Sequence, residues 1–190
     1  PGTTQPNLAG IWQALGTAHW DIEDHPSRPA PLGSLGAFGV MPAGSGVVEG
    51  GEIPYQPWAL EKKRQNYETR MMVDPEDFNL GDPELKCYLP GIPRATYLPM
   101  PFQIIQSTNV LLFSYEFADA SRLINMDNHT KAPIDFWMGW SNGRWEGDTL
   151  VIEAVNFNED TWLTDDGAFH TNELRVVETL RRTGDTIEWQ

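Results

Sequence analysis

Gly139, Ser141 and Gly143, in the stretch MGWSNGRWEG (138–147), spell G-x-S-x-G. At that spacing a serine hydrolase holds its nucleophile on a strained turn between a strand and a following helix. A catalytic serine also needs a base and an oxyanion hole, which the helix after the turn helps to build. Here the residues that follow read GDTLVIEAV, an alternating apolar run of strand character. Asn142-Gly143 adds a hairpin-turn signal. The stretch therefore reads as a glycine-rich β turn region, with Ser141 satisfying turn backbone groups, and the esterase reading falls away.

Acid/base chemistry has better candidates. The chain has four histidines, His19, His25, His129 and His170. His129 (in MDNHT) and His170 (in DDGAFHTNE) lie among acids and amides that could orient an imidazole for proton transfer. If the strands close, both sit near strand ends and could face a common mouth. A turn at Asn172 would bring Glu173 to His170. Glu116 interrupts the apolar run LLFSYEF, and Arg122, just after the link ADAS, is its natural partner. His170, His129, Glu116, Arg122 and Glu173 form the candidate catalytic set. Trp137, Trp140, Trp145, Trp162 and Tyr115 form a second, ligand-binding set, since large rigid rings line pockets as well as cores.

Metal and thiol chemistry are weaker. AHWDIEDH places Asp21, Glu23 and Asp24 between two histidines but lacks a helical H-x-x-x-H or H-E-x-x-H spacing. No metal ligand and no cofactor is assigned. The single cysteine, Cys87, excludes an internal disulfide and a cysteine-cluster metal site. In KCYLPGIPR no helix N-terminus would activate its thiol, so it is expected to be a buried small hydrophobe.

These residues need a frame. At 190 residues with 40% hydrophobic content, the chain suits a single globular domain. A net charge of −14 disfavours nucleic acid and anionic membranes as partners. No apolar run approaches the ~20 residues that would span a bilayer.

Leu8–Leu15 reads as a first short strand. Residues 16–56 are rich in glycine and proline without a sustained period, which suggests an arm or lid. A helix is expected over about 57–71, with Pro57 in its first turn and Trp58, Leu60, Tyr67 and Met71 on a patchy apolar face. From residue 97 onward the pattern is β. FQIIQST and NVLLFSYEF join at Thr108-Asn109, Leu123–Met126 and Trp137–Trp140 are short strands, and TLVIEAVNF, NELRVVETLRR and TIEWQ follow. Turns are expected at Asn142-Gly143, Glu146-Gly147-Asp148 and Thr183-Gly184-Asp185. The expected fold is mainly β: an antiparallel meander forming a barrel or strongly curled sheet, with one peripheral helix and a long Pro/Gly-rich arm. The alternation in DTIEWQ is unfinished at residue 190, as in a strand that continues.

Gly10-Ile11-Trp12 resembles the first-strand signature of lipocalin-like (calycin) barrels, in which the tryptophan closes one end. The strings GGEIPYQPWALEKK, DPELKCYLPGIPRATYLPMPFQIIQ, GRWEGDTLVIEAVNFNEDTWL and HTNELRVVETLRR are similar to a widespread family of exported, signal-peptide-bearing bacterial proteins. That resemblance implies a periplasmic or extracellular location and brings no activity. The opening PGTTQPNLAG is what a processed N-terminus would look like.

Three functional classes remain open. The first is an exported barrel-like protein that binds an apolar or aromatic small molecule, or a partner segment, in a tryptophan-lined cavity. The second is an acid/base enzyme (lyase, isomerase or hydrolase) built on His170 and His129 with Glu116 and Arg122. The third is an accessory subunit that pairs with another chain through the 16–56 arm or the open C-terminal strand.

Overall fold

The computed structural model describes residues 5–29, 37, 40–74, 76–77, 79–127 and 129–190. The chain divides into two compact units. One, the β unit, comprises Pro1–Gln13, Met100–Glu159 and His170–Gln190, and the other, the helical unit, comprises Ala14–Pro99 and Asp160–Phe169.

The β unit is an eight-stranded, mostly antiparallel sheet curled into a half-barrel. Its strands are β1 (Gly10–Trp12), β2 (Phe102–Gln106), β3 (Val110–Tyr115), β4 (Ser121–Asn125), β5 (Trp140–Glu146), β6 (Thr149–Val155), β7 (Val176–Thr183) and β8 (Thr186–Trp189). They neighbour one another in sequence order, as a meander should. Alternating residues face the interior because a strand turns its side chains over every second position. Register aligns them in rows: Ile104 with Phe113 and Arg122, Gly143 with Ile152 and Glu178, and Leu150 with Leu180 and Trp189.

The curl is visible in contacts between ends of that order. The Trp189 ring of β8 meets Phe102 and Phe113 of β2 and β3 edge-on at 5.7 Å each. The Arg182 guanidinium of β7 lies 5.2 Å over the Trp12 ring of β1 and donates to the Asn7 carbonyl at 2.7 Å.

Three local expectations are corrected. Asn142-Gly143 is no turn: both residues lie inside β5, paired with Glu153 and Ile152. Glycine is needed there for close approach, since a Cβ would stand 2.7 Å from Ile124 Cγ2 and from Met126 Sδ. The hairpin closes instead at Gly147-Asp148, with Gly147 at φ +65°, and the next closes at Gly184-Asp185, both as expected. The meander is also not antiparallel throughout, because β4 and β5 pair in parallel through Ile124–Ser141 and Asn125–Asn142. The connection over residues 126–139 is long enough to return the chain to the same end of the sheet. Finally, β1 is confined to Gly10–Trp12 within the expected 8–15 strand, and the strand expected over 137–140 is a turn at 137–138, with β5 starting only at Trp140.

In the helical unit, α1 spans Pro57–Thr69 and α2 spans Arg94–Tyr97. The expected apolar face of α1 stays largely exposed: Trp58, at 60%, meets the Phe169 ring edge-on at 5.9 Å, Leu60 is 57% exposed, and Tyr67 and Met71 are also exposed. The half-buried stripe is Ala59, Lys63, Asn66 and Thr69, at helical spacing and mostly polar. It docks by directed bonds. Lys63 Nζ reaches Glu23 at 2.9 Å and Asp166 at 2.8 Å, and Asn66 Nδ2 donates to the Gly167 carbonyl at 3.1 Å. Gly167, at φ +92°, lies so close that a Cβ would be 2.7 Å from the Lys63 carbonyl.

The described part of the 16–56 arm folds on its own unit. His25 bridges Gly44, Arg28 bridges Met41, and Ile53 N donates to Glu23 Oε1 at 2.6 Å. Cys87 is exposed, not buried, because it caps a short 3-10 turn (Pro83–Lys86) in the left-handed region at φ 57°. No described helix is long and apolar enough to cross a membrane.

Candidate functional site

Arg122 is 2% exposed on the buried face of β4 and has a partner that the sequence reading did not name. Its Nη1 and Nη2 donate to Glu178 of β7 at 3.0 and 2.5 Å, and its Nε donates to Ser141 Oγ of β5 at 2.8 Å. Burial by itself would lower the guanidinium's pKa, but Glu178 and Tyr115 outweigh it and hold the pKa above the ordinary value. Tyr115 Oη is buried beside the Arg122 guanidinium, and burial pushes its phenol up against the pull of Arg122. Ser141 is thus neither nucleophile nor turn residue. It is the third arm of a buried charge network inside the half-barrel.

The expected partner of Arg122, Glu116, is exposed at the turn after β3, where its backbone N donates to Pro101 O at 3.1 Å. His170 is 8% exposed, with its ring 5.9 Å from Phe157 and Nδ1 3.0 Å from the Thr171 carbonyl. Burial lowers its pKa, against the Thr171 carbonyl and the Glu159 charge. Glu173 is exposed on the turn after it. His129 is exposed, with Nε2 2.9 Å from the Gly143 carbonyl. The structure therefore spreads the candidate catalytic set over separate surroundings.

The ring set is also dispersed. Tyr115 is interior, whereas Trp140 and Trp145 sit five residues apart on one strand and so face opposite sides of the sheet. Trp140 packs on Phe136 at 5.7 Å and donates Nε1 to Thr130 O. Trp137 and Trp145 are half-buried. Trp162 is 7% exposed in the helical unit and bridges Phe169. The aromatic cluster actually assembled is Phe102, Phe113, Tyr115 and Trp189.

Ligand-sized space lies in the helical unit. A cleft of about 560 Å³ is walled by Asp21, Glu23, Asp24 and Arg28, by residues 51–55, and by Leu60 and Lys63 of α1. A second, of about 520 Å³, runs along α1 past Tyr67 to Asp166. The charges of the first are largely committed. Arg28 Nη2 holds Asp21 at 2.5 Å, and Lys63 is held between Glu23 and Asp166, 5.0 Å from the Tyr55 ring centroid. Burial opposes the Lys63 charge, but Asp166 and Glu23 raise its pKa above the ordinary value. Tyr55 Oη is buried and lacks a partner of hydrogen-bonding geometry. Asp24 Oδ1 accepts from Gly46 N at 2.8 Å, and Glu52 is exposed.

The helical unit also buries Arg94, 1% exposed. It clasps Asp82 through two bonds of 2.8 Å and also meets Glu84. Burial raises the Glu84 carboxyl and lowers His19, whose neighbours His25 and Arg94 lower it further. Burial also pushes Asp165 to about 7, against the pull of Arg94. Among the described residues no three His, Cys, Asp or Glu side chains group as a metal site.

Sequence reasoning missed Glu178, Arg94, Asp165, Lys63 and Tyr55. One signal was present: Glu178 stands two residues before Leu180, the position that alternation assigns to the buried face of β7.

Together the fold and its buried ring cluster define the β unit as a curled half-barrel of a kind compatible with ligand binding. Compared with known protein families, characterised proteins and solved structures, the chain matches none.

Proposed function

We propose that the protein binds a small organic cation with an apolar body, seated in the cleft of about 560 Å³ in the helical unit. The volume suits a small ligand. Support comes first from Tyr55 Oη, a buried polar atom on its wall that neighbours Lys63 without full hydrogen-bonding geometry, and that a bound hydrogen-bonding group would satisfy. The lining carries Asp21, Glu23, Asp24 and Glu52 against Arg28 and Lys63. Asp21 and Glu23 are neutralised by those two bases, so Asp24 and Glu52 remain as counter-charges. Ile53, Pro54 and Leu60 offer apolar surface beside them. A net charge of −14 steers cations toward the molecule.

The half-barrel interior serves this reading less well. Phe102, Phe113 and Tyr115 are each at most 5% exposed and fill it with their own rings. An acid/base reading on His170 weighs less because Glu116 is solvent-exposed while His170 is buried. The binding function is assigned outside the cytoplasm, as the resemblance to exported proteins implies. Fractionation of cells that produce the protein natively checks that location.

The test uses 2-phenylethylammonium as probe and phenylacetate as its anionic counterpart in calorimetric titration. The cation is expected to bind and the anion not to. Asp24→Asn combined with Glu52→Gln is expected to weaken the cation about tenfold, the equivalent of about 1.4 kcal/mol. Equal binding of both probes, or no effect of the double substitution, overturns the reading.

A further inference from the structure

Segment 160–169 holds α1 and is itself held over a centre with more carboxylate than cation. On the helix side it offers Asp166 to Lys63 and the Gly167 carbonyl to Asn66. On the other side Tyr97 Oη of α2 donates to the Leu163 carbonyl. Between these anchors stands Asp165, its Oδ1 buried with no hydrogen-bond partner.

The charges that act on Asp165 come from α2, from the 3-10 turn with its cap, and from its own segment. Arg94 is the cation, and Asp166, Asp82 and Glu84 are carboxylates. His19 and the Tyr97 phenol face Arg94, and burial keeps both uncharged near neutral pH by lowering the one and raising the other. Arg94 has spent Nη1 and Nη2 on Asp82 and Glu84, and its Nε is buried without a partner. One guanidinium thus confronts three carboxylates, those of Asp82, Glu84 and Asp165. With Asp82 buried and Glu84 and Asp165 half-buried, a third negative charge here has no counter-ion, so the neutral acid is the cheaper form at Asp165, whose Oδ1 is buried. Asp166 cannot relieve the excess, because it is committed to Lys63, to the Thr164 hydroxyl and to Ala168 N.

We propose that one proton on Asp165 acts as a latch: bound, it seats segment 160–169 between Arg94 and α1, and released, it frees that segment and the helix it carries. The latch stands apart from the cleft reading, since it concerns the attachment of α1 and not a ligand. The sign follows from burial, which raises the Asp165 pKa from 3.8 to about 7. The folded chain holds the proton more tightly than the unfolded chain, so the latch contributes fully below the ordinary carboxylate range. Its contribution is lost progressively as pH rises to about 7 and is constant above.

The test is a carbon-detected NMR titration of the aspartate carboxyls, paired with hydrogen exchange of peptides covering 160–169 and α1 at pH 5.5 to 8.5, corrected for intrinsic rates. In the native protein, protection of both peptides is expected to fall about tenfold across that range. Asp165→Asn, which stays neutral, is expected to keep its protection at every pH. Titration of Asp165 in the ordinary carboxylate range overturns the latch, as does an identical pH profile in Asp165→Asn. Should that variant fail to fold, the titration of the native protein decides alone.

Discussion

Glu178→Ala is expected to lower stability by about 3–5 kcal/mol, measured as the urea unfolding free energy of the native protein and the variant. The cause is the charge left behind. Arg122 is 2% exposed, and its Nη1 and Nη2 both end on Glu178 at 3.0 and 2.5 Å. Without the carboxylate, Ser141 Oγ can satisfy Nε but cannot balance a guanidinium in the half-barrel interior. Replacing both partners with apolar residues, Arg122→Met with Glu178→Leu, is expected to recover most of the loss, because no unpaired charge then remains. Arg181 and Asp148 supply the control. Their pair is more than half exposed on both sides, and Arg181→Ala is expected to leave stability unchanged within error. A loss below about 1 kcal/mol for Glu178→Ala would mean that water reaches Arg122, contrary to its burial.

Arg94→Met is expected to be as severe at pH 7.5, again about 3–5 kcal/mol, and clearly milder at pH 5. The substitution keeps the length of the side chain and removes the cation from Asp82, Glu84 and Asp165. Those carboxylates then sit in low dielectric without a counter-charge, so their folded-state affinity for protons rises. The folded variant binds more protons than the unfolded one, and its stability therefore falls as pH rises. Denaturation midpoints of native protein and variant at the two pH values check this. Equal losses at both would show that Arg94 matters only as bulk.

Much of the β unit is legible in the chain. FQIIQ, VLLFSY and TLVIEAV alternate, and the Gly-Asp turns at 147–148 and 184–185 lie where regular pairing stops. Asn142-Gly143 shows the limit of such signals. A dipeptide that suits a turn in isolation was carried into mid-strand by seven paired positions with β6. The parallel step between β4 and β5 left no local trace, because direction depends on the path of the 126–139 link.

The site was less legible than the fold. Arg122 was recognisable as a polar residue in an apolar register, but its partner is 56 residues away, and Glu116, six residues upstream, was the nearer guess. Helix α1 was placed within two residues of its end, yet its docking face was misassigned. Trp58 keeps one ring contact, with Phe169, Leu60 stays exposed, and directed bonds from Lys63 and Asn66 anchor the helix. Hydropathy ranks residues by transfer from water and is blind to a salt bridge whose partners come from residues 23 and 166.

What the sequence by itself determined is the set of local conformations: which stretches extend, where Pro57 starts a helix, where glycine lets the chain turn, and that the surface is acidic. These follow from backbone sterics and from spacings of two or four residues. What only the tertiary structure decided is company. Arg122 meets Glu178, Arg94 gathers Asp82, Glu84 and Asp165, and Tyr55 comes to face Lys63 on a cleft wall. Coulomb and desolvation energies depend on distances through space, and residues far apart in the chain acquire those distances only once it has folded.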